Sequence, residues 1–361
     1  VTLRTRQALV RIRAVLLAGT VLALVTSYLA VSGVVRTADQ ISSATSRAIL
    51  EVAAARDALV SADAAAIASF ASGEAKLAGP GQEYENRMAS ASQSLARVAE
   101  FNQAGEPGTG TLQTVEGLVA SYSGAMGQAD AHFRQPGGEL VGLADLWYAS
   151  LLLHGPDNVL DLLGKLQKDE RAALDTQISG TRMSAGPLIL WLLPPLVLLA
   201  LLVSTQVFLR QRFRRRLNLP LLGATALGLG VVAGLLLAAA LAGRLDTVRS
   251  SVDEAVAVRE KSIEAADADG HARLAALLYR RCGPPGCGST VDDFRRRTLS
   301  ASTTAPAQNA ITSAARAVTS AGTAATESGG LPVLVPAALI LAGALTVVGL
   351  YRRIDEYRYR P

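Results

Sequence analysis

Four long stretches of this chain carry no charged side chain: Ala14 to Val35, Pro187 to Leu209, Leu219 to Gly243 and Leu331 to Tyr351. Each is about 20 residues or slightly longer, enough to cross a hydrocarbon layer of ~30 Å as a helix rising 1.5 Å per residue. All 35 Lys and Arg and all 30 Asp and Glu fall outside these runs. Backbone in lipid must satisfy its own hydrogen bonds, so the runs are predicted to be helices. The expected fold class is an all-α integral membrane protein with four transmembrane helices, 14–35, 187–209, 219–243 and 331–351. The first run invites comparison with a cleaved signal peptide. Its 22 uncharged residues exceed the usual apolar core of about 7 to 15, and it continues into a helical pattern without a clear small-residue cleavage site, so an uncleaved anchor is expected.

The net charge of +5 at pH 7 has meaning only through its distribution. The tail 1–13 carries Arg4, Arg6, Arg11 and Arg13, the loop 210–218 carries Arg210, Arg212, Arg214, Arg215 and Arg216, and the tail 352–361 carries Arg352, Arg353, Arg358 and Arg360. Only Asp355 and Glu356 oppose these 13 cations within the same segments. Such a bias holds a segment on the cytoplasmic side, so both termini are expected there in a multi-pass protein of the cell membrane. Anionic headgroups of the bilayer attract the same arginines. The segments 36–186 and 244–330 are then extracytoplasmic, with 11 basic against 18 acidic residues in the first and 11 against 10 in the second. No aromatic residues interleave with basic ones as stacking platforms, so no nucleic-acid partner is expected. The use of 31 Arg to 4 Lys suggests a GC-rich bacterial gene.

Beyond the first run, Ile41, Ala44, Ala48, Val52, Ala55, Leu59, Ala62, Ala66 and Phe70 recur in steps of three and four, which marks a helix with a narrow apolar seam. It is predicted to run unbroken over 36–78. Breaks at Gly79-Pro80-Gly81, Gly105-Glu-Pro107-Gly108, Pro136-Gly137-Gly138 and, more weakly, Gly155-Pro156 then delimit helices near 82–104, 111–135 and 139–185, the last interrupted at the Gly155-Pro156 pair. Short connections favour an up-down-up-down bundle. In 244–330, one break at Cys282-Gly-Pro-Pro-Gly-Cys287 divides a helix over 244–281 from another starting near Thr290, a helical hairpin. The segments beginning Ala62-Asp63-Ala64 and Ala266-Asp267-Ala268 resemble each other at similar distances beyond the first and third runs. Ala-rich helices also match by accident, so duplication stays open.

Catalytic signals are weak. His132, His154 and His271 show no ligand spacing, there is no Gly-x-Ser-x-Gly elbow, and Gly164-Lys165 lacks the upstream glycine pattern of a phosphate loop. No catalytic residue, cofactor or metal site is predicted, and the protein is not expected to be an enzyme. Cys282 and Cys287 fall on the oxidising side, where a disulfide closing the Gly-Pro-Pro-Gly turn is favoured over zinc, for which a second ligand pair is missing. The runs hold no charge for a carrier to use near the membrane midplane. Gly230 and Gly234 form a small-xxx-small face suited to close helix packing. Arg280, Arg281, Arg295, Arg296 and Arg297 bracket the hairpin tip and form a candidate extracytoplasmic contact for an acidic partner, with a solvated helix end as the alternative. Trp147, Tyr148, Leu151, Leu152 and Leu153 suit a bundle core, or else an exposed docking patch.

The inner segments are about 13, 9 and 10 residues long, against 151 and 87 outside. None of the inner ones can bury a core, so an output inside requires a partner protein. Arg210, Arg212, Arg214, Arg215, Arg216, Arg352 and Arg353 are the candidate cytoplasmic contact. A four-span, N-inside chain with helical segments after Val35 and Gly243, Ala-Asp-Ala outgoing helices and short Arg-rich ends resembles the GlnX-type membrane proteins of actinobacteria. The outer bundle also resembles the four-helix sensor domains of chemoreceptors. The first resemblance implies a non-enzymatic signal-transducing subunit between an extracytoplasmic solute-binding lipoprotein, for glutamate or aspartate, and a cytosolic Ser/Thr protein kinase or adaptor. A structural scaffold of the envelope or a transporter accessory subunit has the same topology, and a ligand bound directly inside the bundle is a third alternative. The sequence leaves oligomeric state open.

Overall fold

The computed structural model describes residues 2–181, 185–213, 219–282, 289–299, 305–327 and 330–356, with side chains described for fewer of them near these limits. Among the described residues every regular element is helical. Helix α1 (Thr2–Gln40) passes into a π turn at Ile41–Thr45 and then α2 (Ser46–Ser72). There follow α3 (Ala75–Ala78), α4 (Gln82–Phe101), α5 (Gly105–Arg134), α6 (Glu139–His154) and α7 (Val159–Thr181). The remainder comprises α8 (Ala185–Phe213), α9 (Leu219–Cys282), α10 (Ser289–Leu299), α11 (Gln308–Thr326) and α12 (Leu331–Glu356). The chain divides into two units, one made of Val1–Gln40, Gln177–Thr247 and Gly322–Pro361, the other of Ile41–Thr176 and Val248–Ala321.

In the first unit, Leu16, Ala23 and Val31 of α1 pack with Leu198 and Leu202 of α8, Leu221, Val231 and Leu235 of α9, and Val335 and Leu339 of α12. The opposite faces are apolar as well: Leu22, Leu29, Leu196, Val203, Leu229, Leu236 and Leu341 are exposed. Helices apolar all round are compatible with a lipid surrounding, since a helix at a protein–water surface keeps one polar face. Three stretches, Arg11–Ser72, Leu219–Arg281 and Gln308–Gly349, contain an apolar window long enough to cross a membrane, while the described apolar part of α8, Trp191–Val207, is shorter. Some polar groups in this unit find partners nearby, while Ser27 Oγ of α1 is buried without one. Thr20 donates to the Leu16 carbonyl at 2.7 Å, and Gln206 Nε2 reaches from α8 to the Leu221 carbonyl of α9 at 2.8 Å. Of the small-residue pair, Gly234 faces α12, where an added Cβ would stand 3.1 Å from Val335 Cγ2, whereas Gly230 has nothing within 4 Å.

The second unit has one core. Val52, Leu59, Ala66 and Phe70 of α2 meet Leu95 and Val98 of α4, Val115, Tyr122 and Phe133 of α5, Leu143 and Leu146 of α6, and Leu163 and Leu166 of α7. Leu274, Leu277 and Leu278 from the distal part of α9 join the same core. Phe70 and Phe133 meet edge to face at 4.9 Å. Helices α5 and α6 approach so closely that a Cβ on Gly142 would lie 2.7 Å from the Phe133 amide nitrogen.

Several predicted boundaries are corrected. The helix expected over 36–78 contains the π turn and ends at Ser72, because Gly73 takes φ 84°, a left-handed cap that a glycine accepts without a Cβ clash. The break expected at Gly105-Glu-Pro107-Gly108 is instead the first turn of α5, where proline's missing N–H needs no partner. The interruption expected at Gly155-Pro156 within 139–185 is found, and it separates α6 from α7. Trp147, Leu152 and Leu153 pack into the core as expected, but Tyr148 and Leu151 are exposed.

Candidate functional site

The alanine seam of α2 lets a neighbouring backbone come close: a Cβ on Gly270 of α9 would stand 3.3 Å from the Ala64 Cβ. This contact brings the two similar Ala-Asp-Ala segments together, with Asp63 on one and Asp267 on the other. Asp63 is only 2% exposed. Its Oδ1 accepts from the Tyr122 hydroxyl at 3.1 Å, and its Oδ2 accepts from the Ser150 hydroxyl at 3.0 Å and lies 3.3 Å from His154 Nε2. The other imidazole nitrogen, His154 Nδ1, lies 3.0 Å from Asp267 Oδ1. His271 Nδ1 is 3.2 Å from that same oxygen. The two imidazole centroids are 4.5 Å apart, and His271 packs edge-on to Phe294 of α10.

Local sequence explains the placement of His154. It is the last residue of α6, where the helix dipole favours positive charge. The turn behind it is held by Asn158 Nδ2 donating to the Leu151 carbonyl at 2.8 Å, and Asp157 there adopts φ 57°. Burial acts to lower the His154 pKa, but the Asp267 and Asp63 carboxylates more than offset it and raise the value from 6.5 to about 9. Asp267 is held below the usual carboxylate range: burial pushes it up, but the two imidazoles pull it further down. Tyr122 rises well above its ordinary value of 10, first through burial and then through the Asp63 charge.

A second polar place in this unit is a cleft of about 580 Å³ lined by Arg56 of α2, Gln167, Lys168 and Arg171 of α7, and Val256 and Glu260 of α9, among others. Arg56 makes a forked pair with Glu260 at 2.7 and 3.0 Å and donates to Gln167 Oε1 at 3.0 Å. Arg56 Nε and Gln167 Nε2 are buried without an acceptor.

Sequence reasoning treats the three histidines as isolated. Only His132 stands apart from the other two, paired with Asp145 at 2.6 Å. The usable signal was the faint Ala-Asp-Ala repeat, whose two carboxylates flank one imidazole. Of the predicted distal cations, Arg281 pairs with Glu139 at 2.6 Å, Arg295 stacks 4.5 Å from the Tyr279 ring centre, Arg296 pairs with Asp293 and Arg280 is exposed. The Arg297 side chain lies outside the described residues. So do Cys287 and the side chain of Cys282, Arg214, Arg215 and Arg216, and the side chains of Arg210, Arg212, Arg352 and Arg353.

Residues 37–179 match the actinobacterial sensor domain. No curated protein and no solved structure matches the chain. The sensor domain supplies Asp63, Tyr122, Ser150 and His154, whereas Asp267, His271 and Glu260 come from α9, outside the matched segment. The match supports an actinobacterial sensor protein with a sensing or signalling role. It does not single out the GlnX type.

Proposed function

We propose that this protein is a four-span, non-enzymatic sensory subunit of the cell membrane that relays an extracytoplasmic solute signal to a cytosolic Ser/Thr protein kinase or adaptor. The observation that carries the reading is the sensor-domain match on residues 37–179, a segment bounded by the apolar runs in α1 and α8. The contrast between long outer segments and short Arg-rich inner ones supports the need for a cytosolic partner, contacted through Arg210 to Arg216 and Arg352 to Arg353. The resemblance to GlnX-type proteins suggests a solute-binding lipoprotein, loaded with glutamate or aspartate, as the outer partner. Crosslinking in cells followed by purification in detergent tests this: recovery of a binding lipoprotein and a kinase is expected. Recovery of neither, or of envelope or transporter components alone, would favour a scaffold or accessory role.

Direct capture of a small solute is a second reading, favoured by Arg56 Nε and Gln167 Nε2, two N–H donors of cleft-lining residues without an acceptor. A carboxylate is the chemistry that such N–H groups take. Calorimetry of the full-length protein with glutamate and aspartate separates the two: heat of binding in the absence of any lipoprotein supports direct capture, and its absence supports the relay.

A further inference from the structure

We propose that His154, Asp267 and His271 form a site for one divalent transition-metal ion of the Zn²⁺ class, clasping α6 of the sensor domain to α9. The three ligand atoms lie within 4.8 Å of one another. Around a tetrahedral ion with bonds of about 2.0 to 2.2 Å, ligand atoms stand roughly 3.3 Å apart. The His154 Nδ1 to Asp267 Oδ1 and His271 Nδ1 to Asp267 Oδ1 separations, 3.0 and 3.2 Å, fall near that value.

Ion pairing draws both imidazoles to the same oxygen, Asp267 Oδ1. Asp267 Oδ1 is buried, and although two imidazole nitrogens approach it, neither makes a properly directed hydrogen bond to it. An ion between the three atoms would use all of them at once. The outer shell is also that of a metal site: the remote nitrogen of His154 faces the buried Asp63, itself anchored by Tyr122 and Ser150. A carboxylate behind a ligating imidazole fixes its tautomer and orientation. Beside the cluster, Trp147, Ser150, Leu151, Leu274 and Phe294 line a half-open pocket of about 30 Å³ that His154 and His271 also face. That is room for a water molecule as the fourth ligand, in a mostly apolar setting. This inference does not depend on the identity of the signal.

The test uses the full-length protein in detergent, carrying an affinity tag without histidine and stripped by chelator, then titrated with Co²⁺ and Zn²⁺. One Co²⁺ per chain is expected, with the intense visible absorption of tetrahedral cobalt, displaced by Zn²⁺, which also raises the thermal midpoint. His271→Ala should abolish that absorption, and Asp63→Asn should weaken binding about 10- to 100-fold. His132→Ala, remote from the cluster, should bind as the parent does. Asp267→Asn provides a second ligand variant should His271→Ala lose its helical circular dichroism. Absence of stoichiometric cobalt binding by the folded parent, or unchanged binding in the folded ligand variants, would overturn the proposal.

Discussion

Replacing Asp63 tests whether the interior of the second unit is organised around one buried carboxylate. Asp63→Ala removes the acceptor for Tyr122 and Ser150, which are 0% and 4% exposed, and the partner of His154 Nε2. Each hydroxyl left without a partner in a dry interior costs about 1 to 3 kcal/mol. Breaking a buried charge pair by removing one member costs about 3 to 5 kcal/mol. These terms overlap and are partly offset because the carboxylate no longer has to be desolvated, so we expect a net loss of about 3 to 5 kcal/mol. Asp63→Asn retains an oxygen for the Ser150 side and lets the Tyr122 hydroxyl turn to accept, so its loss should be smaller, about 1 to 3 kcal/mol. The assay is denaturation of the full-length protein in detergent with excess chelator, read by fluorescence. The chain has 2 tryptophans, so a Trp191→Phe background leaves Trp147, packed 4.6 Å from the Phe294 ring, as a reporter within the second unit. An Asp63→Ala variant within 1 kcal/mol of the parent, or equal losses for Ala and Asn, would refute the reasoning.

Three further outcomes are expected. Gly142→Ala should destabilise the second unit by about 1 to 3 kcal/mol, because its Cβ would meet the Phe133 backbone, which cannot swing aside as a side chain could. A melting curve superimposable on the parent's would contradict the close α5–α6 contact. Glu170 accepts from the Gln103 and Ala104 amides at 2.9 and 3.2 Å, yet burial raises its pKa above the ordinary 4.5. A raised carboxyl pKa contributes stability below the unfolded value and loses it as pH climbs through the folded one. The parent should therefore lose stability relative to Glu170→Gln as pH rises from 4.5 toward neutrality, and a difference of opposite sign would be decisive against this. In the first unit, Gly234→Leu should separate α9 from Val335 of α12 and lower the thermal midpoint, while Gly230→Leu, with nothing within 4 Å, should not.

Elements that follow one local rule were legible in the sequence. The uncharged runs appear in α1, α8, α9 and α12, and the seam from Val52 to Phe70 is the buried face of α2. Helix ends were less legible where one residue type supports two structures. Gly105-Glu-Pro107-Gly108 reads as a break, but proline is equally suited to a first helical turn, and the start of α5 is held by Asn102 Nδ2, which donates to the Gly105 carbonyl and the Thr109 hydroxyl at 3.1 Å each, and by Glu170, which accepts from the Gln103 and Ala104 amides. Of the buried cluster, the sequence contained only the paired Ala-Asp-Ala segments.

The sequence by itself determined which runs are apolar and uncharged enough to cross a lipid layer, because transfer of a charged side chain into hydrocarbon is unfavourable whatever its neighbours are. The apolar spacing also pointed to helix, the form of every regular element among the described residues. Only the tertiary structure decided that residues 41–176 and 248–321 share one core, and that Asp63, His154, Asp267 and His271 meet inside it. Electrostatic and ligand contacts act across a few ångströms, and sequence distance carries no measure of that separation until α9 has packed against α2 and α6.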